Sequence, residues 1–185
     1  MDLFYPCEGQ LYFAYGLLMH PDALAERNVH AEVLAIGRLA NYRVAFFGHS
    51  KVWDGGEETV IPDPDGEVWG VLYRLSYRDA DRLDAWQDVR LDGSGNYFHY
   101  PVVIEGAEKM RYPALIYKKD VCGTPQLPNA TYVANIVAAA HVRNLPEAAV
   151  QTWTCLDTCK AHYPVPRKGR FDRALLVGAL CEGCC

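Results

Sequence analysis

Residues 11–19 read Leu-Tyr-Phe-Ala-Tyr-Gly-Leu-Leu-Met. An apolar, aromatic-rich run stops at Gly16, and a helix-like segment begins at His20-Pro21-Asp22. A strand that stops at glycine can turn its freed backbone N–H groups toward a ligand, because glycine tolerates positive φ and close backbone approach. The plainer reading is a buried first strand followed by a turn. A second group capable of chemistry lies toward the C-terminus, where Cys155, Cys159, Cys181, Cys184 and Cys185 account for five of the seven cysteines. Cys181-x2-Cys184 has ligand-like spacing, and Cys155-x3-Cys159 puts both sulfurs on one face if the segment is helical. With His162 nearby, these residues could hold zinc or an iron–sulfur cluster. Paired thiols also carry redox equivalents. The plainer reading is reduced thiols, local disulfides or small buried hydrophobes. The other histidines, at 20, 30, 49, 99 and 141, are scattered and read as surface or core residues.

The bulk properties bound what these groups can serve. The chain has 185 residues, half of them apolar, and a net charge of −5. That describes one ordinary folded domain with room for a core. No long basic run is present, which disfavours a nucleic-acid partner. No apolar run approaches the roughly 20 residues that cross a bilayer, so no membrane partner is expected. The segment Met1-Asp2-Leu3-Phe4-Tyr5-Pro6 lacks a basic region and a long apolar stretch, so it does not read as a signal peptide. The expected setting is the cytoplasm, where clustered cysteines point to metal or redox chemistry more than to a disulfide scaffold.

The elements that must position these groups follow from periodicity. Residues 11–16 form the first strand, and 21–27 a short helix with Pro21 in its first turn. Strands are expected over 31–36 and 39–47, then a loop over 48–58, a short strand over 59–62 and a proline–aspartate turn. Residues 67–75 are a clear strand, in which Gly70 permits close packing or a bulge. Ser76 caps a helix carrying Leu83 and Trp86. Strands follow at 97–104 and 111–117. Residues 129–143 form an amphipathic helix capped by Asn129 or Thr131, and 146–153 a shorter one. Many short strands with few, late helices predict an α+β domain, a small, partly closed mixed β-barrel with flanking helices. The expected organisation is a domain over 1–153 and a cysteine-rich extension over 154–185.

Four of these segments, in order, resemble the γ-glutamylcyclotransferase-like (AIG2-like) family. YFAYGLLM at 12–19 resembles its N-terminal ligand loop, and WDGG at 53–56 one of its loops. GEVWGVLYRLSYRDADRLDAWQDV at 66–89 resembles its central strand–helix segment, which ends at the catalytic acid. PQLPNATYVANIVAAAH at 125–141 resembles the segment supplying a ligand-binding tyrosine. The resemblance implies an enzyme that closes a γ-glutamyl group into 5-oxoproline and releases an amine or amino acid. The substrate's own α-amine is then the nucleophile, one carboxylate moves the proton, and no metal or cofactor is required for cyclotransfer. Such an intramolecular attack needs orientation and proton transfer, not an enzyme nucleophile. It further implies a small γ-glutamyl-type ligand held by Tyr12, Phe13, Ala14, Tyr15, Gly16, Leu17 and Leu18, with Tyr97 and Tyr132 beside it.

The sequence departs from that pattern at the catalytic position. Gln87 stands where the resemblance places the catalytic glutamate. A glutamine amide accepts no proton near neutral pH, although it keeps the shape and hydrogen-bonding reach of Glu. Three explanations stay open. The protein binds without turnover or catalyses something else; Asp84 or Asp88 supplies the carboxylate; or Gln87 is a deliberate replacement that traps a ligand. Asp84 and Asp88 read first as solvated or helix-end charges. Leu17 stands where Ser or Thr is usual, which makes the expected pocket more apolar. The alternative function is a non-catalytic binding or scaffold protein whose tail binds metal, a cluster or a protein partner.

Overall fold

A computed structural model describes residues 8–120 and 123–167. Five strands close into a barrel in the order β1-β3-β2-β4-β5. They are β1 (Gln10–Ala14), β2 (Ala31–Ser50), β3 (Gly55–Leu75), β4 (Tyr97–Glu105) and β5 (Arg111–Lys119). Four helices flank them: α1 (Pro21–Ala25), α2 (Tyr77–Trp86), α3 (Ala130–Val142) and α4 (Glu147–Thr154). All strand pairs are antiparallel except β1 with β5, which run parallel where Tyr12 meets Leu115. That pairing closes the expected mixed barrel, and closure removes the unpaired edges that invite aggregation. No helix among the described residues is long and apolar enough to cross a membrane.

The long hairpin of β2 and β3 corrects the sequence reading. The strands expected at 31–36 and 39–47 are one element, because Gly37 pairs with Gly70 and carries the ladder through the expected gap. The loop expected over 48–58 shrinks to a turn at 51–54, with β3 already paired from Gly55. The proline–aspartate turn survives as a bulge: Ala40 pairs with Glu67 and Tyr42 with Pro62, so residues 63–66 face Asn41 alone. Such an insertion bends the strand and raises its local twist.

Period-two alternation splits β1 between two cores. Leu11, Phe13 and Tyr15 join Leu72, Ile104 and Ile116 inside the barrel. Tyr12 and Ala14 face the other way, toward Tyr73, Leu83, Tyr132 and Ile136 under the helices. Gly70 allows β1 to lie this close: a Cβ there would stand 2.2 Å from the Ala14 carbonyl oxygen and 2.7 Å from the Phe13 ring.

The helices start where the sequence says they should. Ser76 Oγ accepts the Asp79 N–H at 3.1 Å, and Asn129 Oδ1 accepts the Thr131 N–H at 2.8 Å. Both satisfy N–H groups that a helix start otherwise leaves unpaired. α3 in turn anchors the turn after β1. Arg143 Nε and the Tyr73 hydroxyl both donate to the Met19 carbonyl, at 2.8 and 2.9 Å.

Candidate functional site

One narrow pocket opens at the end of β1. β1 and the turn after it supply Tyr12, Tyr15, Gly16 and Leu18; β3 supplies Glu58; Gln87 follows α2; β4 and β5 supply Tyr97 and Tyr117. The enclosed space is about 10 Å³, room for roughly one water.

The turn after β1 is a single 3-10 turn over Leu17–Met19. Its first hydrogen bond runs from the Met19 N–H to the Gly16 carbonyl at 3.0 Å, so the N–H groups of Leu17 and Leu18 precede the ladder. Six of the sequence-predicted residues meet here: Tyr12, Tyr15, Gly16, Leu18, Gln87 and Tyr97. Phe13, Ala14 and Leu17 do not line the pocket. Phe13 and Ala14 are fully buried in the two cores, because strand alternation turns Phe13 inward and Ala14 lies under the helices. Leu17 instead packs at the edge of the helical core. Tyr132 stands one layer back. Its ring lies 5.0 Å from Trp53, and its hydroxyl interacts with the carboxylate of Glu58.

Glu58 is the residue that sequence reasoning missed. It sat inside the segment 48–58 read as a loop, where consecutive glutamates look solvent-facing. In the structure its carboxylate Oε1 lies 2.7 Å from the point where a Cβ on Gly16 would stand. Tyr97 donates its hydroxyl to the Glu58 carbonyl at 3.2 Å. Burial pushes the Glu58 carboxyl above the usual carboxylate range, a rise that the interaction with Tyr132 opposes. The same enclosure, followed by the charge of Glu58, holds the Tyr132 and Tyr97 hydroxyls well above their ordinary pKa. These phenols therefore stay neutral donors through ordinary pH.

The carboxylates around the pocket are otherwise committed. Glu57 pairs with Lys119 at 2.7 Å. Asp84 Oδ1 accepts the Tyr117 hydroxyl at 2.6 Å and lies 2.7 Å from His99 Nε2. The expectation of a solvated charge therefore fails for Asp84: β4 and β5 deliver His99 and Tyr117 onto it across the barrel. Those bonds fix Tyr117, whose ring centroid lies 5.1 Å from that of Tyr12. Asp88 is exposed and lies 2.9 Å from Arg90, as a surface charge should.

The turn expected at 53–56 is held from the C-terminal side. Asp54 accepts the His162 N–H at 2.6 Å and lies 3.0 Å from His162 Nδ1 and 3.2 Å from His49 Nε2. His162 is thus engaged with Asp54. α4 ends at Thr154, so the helical condition under which Cys155 and Cys159 would share a face is not met. Cys155 caps α4, while the Cys159 N–H donates to Pro128 O at 2.9 Å. Both are free thiols. Among the described residues no group of three or more His, Cys, Asp or Glu is placed to hold a metal ion. Cys181 and Cys184 lie outside the described residues.

The closed mixed barrel with flanking helices is a γ-glutamylcyclotransferase-like fold. Comparison with known proteins agrees. Residues 67–152 match the AIG2-like family. The chain is 33% identical over 102 residues to gamma-glutamylcyclotransferase of Homo sapiens, covering 53% of this chain and 50% of that one. It is 33% identical over 111 residues to the Mus musculus protein of the same name, covering 54% and 55%. The chain spans about half the length of the curated relatives it matches. A solved gamma-glutamyl cyclotransferase superposes with a TM-score of 0.78 at 24% identity, over 85% of this chain and 94% of that one. That likeness bears on the fold.

Proposed function

We propose that the protein cyclises a γ-glutamyl amine or γ-glutamyl peptide to 5-oxoproline and releases the amine. One observation carries this reading. Gly16 and its turn, Gln87 and the hydroxyl-bearing side chains of Tyr12, Tyr97 and Tyr117 all converge on one pocket. The reaction needs a substrate folded so that its α-amine faces its own γ-carbonyl, donors for the developing oxyanion, and a proton carrier. A narrow cleft lined by neutral phenols suits the first two needs, and the relatives named gamma-glutamylcyclotransferase support the reaction class. No water is consumed, so exclusion of bulk water by Leu18 and the aromatic walls helps the chemistry.

A second reading has its own support. The Gln87 amide cannot serve as a base, which favours a protein that binds a γ-glutamyl ligand without turning it over. The two readings separate in a 5-oxoproline release assay over γ-glutamyl amines and dipeptides, run on this chain beside Gln87→Glu. Release by either form supports the cyclotransferase. Silence in both forms, with the ligand still bound in calorimetry, leaves the binding protein.

A further inference from the structure

We propose that Glu58 carries the proton in this pocket, in the role that Gln87 cannot fill. The inference rests on the cyclotransferase reading above and assigns the residue that would make it work.

The argument is one of position and of availability. Glu58 and Gln87 line the same pocket. The Glu58 carboxylate abuts the ligand turn itself, with Oε1 only 2.7 Å from the Cβ position of Gly16. Any side chain at position 16 would displace it, so the glycine that opens the turn also makes room for the acid. The neighbouring carboxylates are spoken for: Glu57 by Lys119, Asp84 by His99 and Tyr117, and Asp88 by Arg90. Glu58 has no ion pair among the described residues; its carboxylate interacts with the Tyr132 hydroxyl, and a carboxylate has acceptor capacity beyond that for a proton. Alternation along β3 explains the split between the adjacent glutamates, since Glu57 and Glu58 point to opposite faces. Enclosure by protein raises its proton affinity above that of an ordinary carboxylate, toward the neutral range where proton transfer is most effective.

The step balances without any further reactant. The neutral α-amine nitrogen of the substrate attacks its γ-carbonyl carbon, a C–N bond forms, and the Glu58 carboxylate takes one proton from that nitrogen. The carbonyl oxygen carries the electron pair through the tetrahedral stage. The bond from carbon to the leaving nitrogen then breaks, its electron pair departs with that nitrogen, and the Glu58 carboxylic acid protonates it. The products are the lactam and a free amine, with the carboxylate restored. Gln87 contributes hydrogen bonds that hold the substrate.

The test is 5-oxoproline release by four purified forms: this chain, Glu58→Gln, Gln87→Glu, and the double variant. The expected result is turnover by the unaltered chain and a loss of about 100-fold or more in kcat for Glu58→Gln, the scale of general acid–base catalysis. KM should change little, and the double variant should recover at least about tenfold of the loss by relocating the carboxylate to position 87. Three results overturn the proposal while leaving the cyclotransferase reading intact. Glu58→Gln could retain near-normal turnover; the unaltered chain could be silent while Gln87→Glu turns over; or the loss in Glu58→Gln could resist restoration by Gln87→Glu, which assigns Glu58 a structural role. Silence in all four forms defeats the cyclotransferase reading itself, and this proposal with it.

Discussion

Gly70→Ala tests whether the turn after β1 is held by a close approach of two strands. The new methyl would sit 2.2 Å from the Ala14 carbonyl oxygen and 2.7 Å from the Phe13 ring. Ordinary contact begins near 3.4 Å, so the strands must part by about an ångström. The nearest atom belongs to backbone, fixed by the pairing of Ala14 with Val71 and Phe13 with Leu72, and cannot swing away as a side chain would. Overpacking of this kind costs about 1–3 kcal/mol, and the backbone partner argues for the upper half of that range. For a chain of this size about 2–3 kcal/mol lowers the melting temperature by roughly 4–12 °C. Ala14 lies two residues before Gly16, so the displacement reaches the turn that lines the pocket. A shift of about an ångström at a positioning element can cost about 100-fold in turnover. Urea unfolding gives the first quantity and 5-oxoproline release the second. A variant within about 0.5 kcal/mol of the parent, with unchanged turnover, would refute the argument that Gly70 sets the path of β1.

Two further outcomes follow from single contacts. Asn129→Ala removes the cap of α3, whose Oδ1 accepts the Thr131 N–H at 2.8 Å and the Tyr132 N–H at 3.4 Å, and should cost about 1–2 kcal/mol in urea unfolding; a loss below about 0.3 kcal/mol would deny the cap its role. Glu58→Gln should raise stability at pH 7 while leaving pH 4 nearly unchanged. Burial raises the carboxyl in the folded state, so the native chain binds more protons than the unfolded one between the ordinary carboxylate pKa and the raised value. Stability is therefore full below that window and falls as pH rises through it. Unfolding midpoints of the two forms at both pH values check the sign, and a variant less stable at pH 7 would contradict it.

Much of this fold was legible because the signals were local. Ser76 and Asn129 announce helix starts through side chains that bond the next turn. Gly16 marks the end of β1, and Gly70 the close approach. What escaped was imposed from a distance. Residues 55–58, Gly-Gly-Glu-Glu, carry no strand pattern, yet β2 pairs with them through Phe46, Phe47 and Ser50. Gly56 approaches so closely that a Cβ would lie 2.8 Å from Phe46 Cβ. With that stretch read as a loop, Glu58 had no face and so no site. Asp84 was misread for a related reason. Its position on α2 says nothing of His99 and Tyr117, which arrive from strands 15 and 33 residues away.

The same logic joins two departures that look unrelated in sequence. Gln87 puts an amide and not a base at the end of α2, in the pocket. A carboxylate at 58 enters the same pocket from β3, on a strand whose pairing holds it against Gly16. Burial penalises such an acid, so the position weakens the fold at neutral pH. Glu58 lies beside the turn after β1 and is free of any ion pair among the described residues, as the proton role proposed above requires. If the acid acts from β3 in this way, the two positions are not independent. Gln87 then becomes tolerable only with Glu58 present, and Glu58 fits only because residue 16 has no side chain. Substitutions at 16, 58 and 87 should therefore combine non-additively, as groups sharing one pocket do.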